Sequence, residues 1–190
     1  MMIEDGTGNG YKAEVNSLNQ IPTRGINSTY HQFASCMHQQ AYMGSLGTEA
    51  KPTLTVTAAG GYMMFLKNTS TVYDAIMARI TISTDQLMEI VVMKNPDIGV
   101  LANETAIVPV NKNFGSGKLA DVDLYGWDEV GDEITGITGG DCAGTYQING
   151  FERILFDESL CLGLNDIIAI KAKNAGELAI VMHGYYLVPA

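Results

Sequence analysis

Three histidines and three cysteines carry the richest potential chemistry in this chain, and their spacing decides against most of it. His31 and His38 flank Cys36, and His183 stands alone near the C-terminal end. A metal site on a β-sandwich needs a tight set, with two histidines close together and a carboxylate beside them. The sequence offers none. Cys36, Cys142 and Cys161 are odd in number and widely spaced. They form neither a disulfide framework nor a Cys-x-x-Cys pair, so the expectation is free, mostly buried thiols in a reducing compartment. No catalytic residue, no metal ligand and no cofactor site is expected.

Asp121-Val122-Asp123-Leu124-Tyr125-Gly126, followed by Asp128, Glu129, Asp132 and Glu133, has the outline of a calcium loop. It fails where ligands are required: the fifth position is Tyr125 and the twelfth is Asp132 rather than glutamate. The expectation is a strand from Lys118 to Trp127 and a solvated acidic loop over 128–133, with an irregular calcium site in that loop as the alternative. Gly6-Thr7-Gly8-Asn9-Gly10 has no strand before it and no helix after it, so it cannot cradle a dinucleotide phosphate. Gly44-Ser45-Leu46-Gly47 lacks the pattern of a nucleophile elbow. Asn27-Ser28-Thr29, Asn68-Thr69-Ser70 and Asn103-Glu104-Thr105 match a glycosylation pattern but read as turns.

The chain has 190 residues, room for one domain or one domain with an arm. Hydrophobic residues make up 46%, enough for a core. Eleven basic residues against 21 acidic ones give a formal charge of −10. Nucleic-acid binding is therefore not expected, because phosphate neutralisation needs clustered Lys and Arg. Lys12, Arg24, Lys51, Lys67 and Arg79 are scattered singly. The start lacks the basic and apolar regions of a signal peptide, and no apolar run approaches the ~20 residues of a membrane helix, so no membrane partner is expected.

The elements that would position any site are strands. Thr53-Leu54-Thr55-Val56-Thr57 alternates with period two, and further strands are expected at 62–67, 73–83, 87–94, 107–110, 118–125, 145–148, 153–156, 167–172 and 178–188. Asn68-Thr69-Ser70, Asn95-Pro96-Asp97, Gly139-Gly140-Asp141 and Asn174-Ala175-Gly176 punctuate them. Roughly eight strands at regular spacing predict an all-β fold, an antiparallel β-sandwich of jelly-roll type over 52–190. Residues 1–51 read as an extended N-terminal arm with short strands, Pro22 placing one of these at an edge. Tyr185 and Tyr186 must point to opposite faces of a regular strand, one to the core and one to solvent or a partner.

The opening Asp5-Gly6-Thr7-Gly8-Asn9-Gly10-Tyr11-Lys12-Ala13-Glu14-Val15-Asn16, with Asn19-Gln20-Ile21-Pro22-Thr23-Arg24-Gly25-Ile26, resembles the N-terminal signature of virion structural proteins of tailed bacteriophages. Phe65-Leu66-Lys67-Asn68-Thr69-Ser70, Lys94-Asn95-Pro96 and Val110-Asn111-Lys112-Asn113-Phe114-Gly115-Ser116 fit it as well. The resemblance implies a non-enzymatic β-sandwich located in the virion and assembled in the host cytoplasm. The leading expectation is a head decoration (cement) protein bound to the major capsid protein lattice, a homo-oligomer and most often a trimer in such proteins. The alternatives are a neck, collar or tail component, or a carbohydrate-binding host-recognition module, for which Trp127 with Tyr125 would form an exposed aromatic cluster. A sandwich-fold enzyme is disfavoured by the histidine spacing.

Overall fold

The computed structural model describes residues 2–4, 12–14, 41–46, 53–111, 119–128 and 132–187. All regular structure among them is β-strand. The chain divides into two units, Met1–Ala34 and Ser35–Ala190. In the first, β1 (Met2–Glu4) and β2 (Lys12–Glu14) form an antiparallel ribbon with Ile3 opposite Ala13.

The second unit begins with β3 (Ala41–Leu46), β4 (Thr53–Leu54), β5 (Gly61–Asn68), β6 (Asp74–Thr84) and β7 (Met88–Lys94). An inserted stretch carries β8 (Asp97–Ala102), β9 (Glu104–Ala106), β10 (Val110–Asn111), β11 (Val122–Trp127) and β12 (Thr135–Thr138). The unit ends with β13 (Asp141–Ile148), β14 (Phe151–Leu162), β15 (Ile167–Ala172) and β16 (Gly176–Leu187).

Pairing is nested. β3 pairs with β16, β5 with β15, β6 with β14 and β7 with β13, all antiparallel. The chain is thus one long hairpin whose tip lies between β7 and β13. Rolling it up brings β6 against β16 and β7 against β15. Two sheets result, in the orders β10-β3-β16-β6-β14 and β13-β7-β15-β5-β11-β9. This is the eight-strand jelly roll, with β9, β10 and β11 added at sheet edges.

The core follows from period-two burial. Leu178, Ile180 and Met182 of β16 are buried while Ala179 and Val181 are only half-buried. They join Ile80 and Ile82 of β6, Ile90 and Val92 of β7, and Ile168 and Ile170 of β15 in one cluster. Each fully buried aliphatic side chain contributes about 1.5–3 kcal/mol relative to exposure. β6 changes phase part-way. His183 pairs with Arg79 and Gly184 with Met77, leaving Ala78 unmatched. The extra residue moves the inward set from Ile80 and Ile82 to Met77 and Ala75. Tyr186 is buried and Tyr185 half-buried, as expected for consecutive strand residues.

Several sequence expectations change. β3 falls inside the segment read as an arm, yet it pairs with β16 over Ala41–Leu46. The division lies between Ala34 and Ser35, not at Pro52. β8 and β12 were not anticipated, because Ile98-Gly99-Val100 and Thr135-Gly136-Ile137 are interrupted by glycine. Residues 107–109 connect β9 to β10 instead of forming a strand. The acidic segment does begin as a strand: Leu124 pairs with Leu66 and Tyr125 with Phe65. Residues 129–131 lie outside the described residues. Among the described residues, no helix is long and apolar enough to cross a membrane.

Candidate binding groove

The residues singled out by chemistry are not brought together. His31, His38 and Cys36 lie outside the described residues. His183 is buried on β16, with the Arg79 Nη2 3.3 Å from its Nε2 and 3.4 Å from its Nδ1. Such a cation beside the ring opposes metal binding there. Among the described residues, no three His, Cys, Asp or Glu side chains stand where they could hold a metal ion. Trp127 is a core residue, 2% exposed, and Tyr125 stacks on buried Phe65 with centroids 5.1 Å apart. The exposed aromatic platform imagined for these two is therefore not formed.

Cys142 and Cys161 are exposed, correcting the expectation of buried thiols. Partial desolvation at the protein surface raises the Cys161 pKa above its ordinary value, and the charges of Asp74 and Asp166 and a hydrogen bond with Asp74 raise it further. The thiolate is the nucleophile, so less of it exists at a given pH. Alkylation of Cys161 by iodoacetamide is expected to be slower at neutral pH than that of a simple thiol. Its rate–pH profile should be displaced upward, and Asp74→Asn should move it back down. Mass spectrometry of the labelled peptide across pH reads this directly; a profile at or below the ordinary thiol range would contradict it.

A concave feature lies where β12 meets the start of β5. Its construction begins with the turn before β5, in which Gly60 N–H donates to the Thr57 carbonyl at 2.9 Å. Gly60 has φ +82°, and a Cβ there would stand 2.8 Å from the Ala172 carbonyl oxygen. Gly61 lies directly beneath Glu133, whose carboxylate would overlap any Cβ at that position. Only glycine fits either place. The Glu133 Oε2 accepts a hydrogen bond from Thr57 N–H at 2.8 Å, and Ile134 N–H donates to the Tyr62 carbonyl at 2.8 Å.

Tyr62 fixes the other side. Its hydroxyl donates to the Gly139 carbonyl at 2.6 Å, and burial raises its pKa above the ordinary value. It therefore stays protonated and acts as a pin, not as an acid or base. Lys171, opposite Tyr62 in the β5–β15 ladder, holds its ammonium 5.3 Å from the ring centroid. β12 is bent by Gly136 at φ +85°, where a Cβ would meet the Val100 carbonyl oxygen of β8 at 2.0 Å. The resulting groove has a volume of about 490 Å³.

No family model, curated protein or solved structure matches this chain. The groove is of a size that small ligands or short peptides occupy. Its rim is threonine hydroxyl, glycine backbone, one carboxylate and one ammonium. That set can hydrogen-bond and pair charge, but it places no nucleophile beside a base. A second cavity, between the sheets next to Met77 and Tyr186, measures about 30 Å³, room for little more than water. Sequence reading missed Tyr62, Glu133 and Lys171 as a group because they lie far apart along the chain. The one local signal was the glycine density of 136–140, which read as punctuation.

Proposed function

We propose that this chain is a non-enzymatic structural component of a tailed-phage virion: a capsid decoration protein that binds the major capsid protein lattice as a homotrimer. The virion setting rests on the resemblance of the segments around Asp5–Ile26, Phe65–Ser70 and Val110–Ser116 to such proteins. The observation that carries an assembling role is the edge strand β14. Among the described residues it pairs only with β6, so its outer edge has no ladder partner. On one face of that edge Phe151 is 59% and Leu155 63% exposed, with Arg153 between them and its guanidinium 5.3 Å from the Phe151 ring centroid. Long edge strands with exposed apolar residues invite pairing and are normally covered or blunted. Closed symmetric association is one way to cover them. Residues 1–34, with their small ribbon, extend the same role as an arm that adds strands to a neighbour.

The test is imaging of virions made with and without this protein, combined with sedimentation of the purified chain. Regular density lost from the head, and a trimer at micromolar concentration, are expected. Density lost at the neck or tail would move the protein to that position. A stable monomer that binds no particle would overturn the proposal.

A further inference from the structure

β13 and β14 are consecutive in the chain but belong to different sheets, so the link Ile148-Asn149-Gly150-Phe151 crosses from one sheet to the other. Gly150 takes φ +89°, and a Cβ there would have nothing within 4 Å. Asn149 is exposed, and its side-chain amide makes no hydrogen bond with another described residue. Asn68, Asn95 and Asn174, by contrast, are each engaged through their side chains. Among the described residues only Asn149 is followed by glycine. One residue clasps the link. Thr84, 6% exposed at the end of β6, donates its N–H to the Gly150 carbonyl at 2.7 Å. Its Oγ1 accepts from the Gly150 N–H at 3.2 Å and donates to the Ile148 carbonyl at 3.4 Å.

An asparagine before glycine is chemically labile, because no Cβ hinders the nitrogen that follows it. The Gly150 nitrogen gives up its proton and attacks Asn149 Cγ. A five-membered imide closes as the Cγ–Nδ2 bond breaks, and the amide nitrogen leaves as ammonia, carrying that proton. Water then opens the ring. Addition at Cγ gives aspartate, and addition at the main-chain carbonyl carbon gives isoaspartate, which lengthens the main chain by one methylene. Water is the only co-reactant. The attacking nitrogen is the one whose N–H Thr84 holds, so the step waits on local opening of the clasp. We propose that Asn149–Gly150 is a site of spontaneous imide formation, yielding aspartate and isoaspartate, and that the Thr84 hydroxyl sets its rate. The product places a new carboxylate two residues before Phe151, the exposed start of β14. The inference is independent of the virion reading.

The test incubates the full-length chain at mildly alkaline pH beside the peptide acetyl-Gln-Ile-Asn-Gly-Phe-Glu-amide. Peptide mapping by mass spectrometry follows the amide-to-acid mass change at Asn149, and electron-transfer fragmentation separates isoaspartate from aspartate. The map also resolves Asn149 from Asn9-Gly10, the other Asn-Gly pair of the chain. Both products are expected at Asn149, formed roughly tenfold more slowly than in the peptide, the worth of one ordinary hydrogen bond. Thr84→Val keeps the shape and the N–H but loses the hydroxyl, and should bring the rate severalfold towards that of the peptide. Thr84→Ser keeps the hydroxyl and should hold the native rate. Deuterium exchange of β16 peptides, unchanged in both variants, shows that the unit stays folded. No conversion at Asn149 once the peptide has fully converted overturns the proposal. So does conversion as fast as in the peptide, or one rate for native and Thr84→Val chains. Acceleration in Thr84→Val that comes with faster exchange in β16 would assign the rate to unfolding of the unit and overturn the part given to Thr84.

Discussion

Replacing Asn68 with alanine is expected to lower the unfolding free energy by about 3 kcal/mol and the melting temperature by roughly 6–12 °C. Asn68 is fully buried at the end of β5. Its Nδ2 donates to the Tyr73 carbonyl at 3.0 Å and to the Leu162 carbonyl at 2.9 Å, and its Oδ1 accepts from Ser70 N–H at 3.0 Å. β5 belongs to one sheet and Leu162, on β14, to the other. One amide thus ties the two sheets together and closes the turn between β5 and β6. Alanine removes all three bonds and leaves two carbonyls and one N–H without this partner, each costing about 1–3 kcal/mol where water cannot enter. Asn68→Asp is expected to be worse than alanine. It keeps the acceptor for Ser70 but sets a carboxylate oxygen against two carbonyl oxygens in a site that excludes water. Urea denaturation of the three proteins measures the series. A loss below about 1 kcal/mol for Asn68→Ala would mean that water replaces the amide, and the sheet tie would then be of little consequence.

Asn68 also shows how far the sequence could be read. As part of Asn68-Thr69-Ser70 it was legible as a turn, because asparagine closes turns through its own side chain. Its bond to Leu162 was not legible, since nothing local relates residues 94 positions apart. The same distinction runs through the fold. β15 and β7 were readable because Ile167–Ala172 and Met88–Lys94 are dense in apolar and β-branched residues between clear turns. β14 was read as 153–156 alone. The structure runs it from Phe151 to Leu162, with an irregular register between Leu155 and Leu160 that breaks the alternation on which the reading depended. The jelly-roll type followed from strand number and spacing, but the nested order is set by long-range pairing. The groove was the least legible feature. Tyr62 looked like one more strand aromatic, Lys171 was simply one position of the expected strand 167–172, and Glu133 looked like part of an acidic loop. Only the meeting of β5, β12 and β15 gives them a common surface.

The placement of β3 leads to the other large effect. A chain beginning at Ser35 is expected to unfold in one cooperative transition close to that of the whole protein, whereas a chain beginning at Lys51 is expected to lack a stable fold. The two differ by the segment that contains β3, which pairs residue for residue with Ile180–Tyr185. Among the described residues β10 pairs with β3 alone, so it would lose that partner as well. Each lost backbone hydrogen bond removes about 1 kcal/mol, and several are lost together. β16 would become an edge strand while carrying Ile180 and Met182, which are among the most buried residues of the core. Against a total stability of roughly 5–15 kcal/mol for a domain, a loss of this size removes most of the margin. Removing only Met1–Ala34 leaves every strand of the second unit in place, and the β1–β2 ribbon is of a kind that is marginal by itself. Thermal melting by circular dichroism separates the cases. If the chain from Lys51 melts cooperatively at the native temperature, β3 is dispensable and the division at Pro52 stands. If the chain from Ser35 is unfolded, the first unit belongs to the folded core. With Ser35–Ala190 folded, its particle binding can then be compared with that of the whole chain. Undiminished binding would remove the arm's proposed part in assembly without touching the fold.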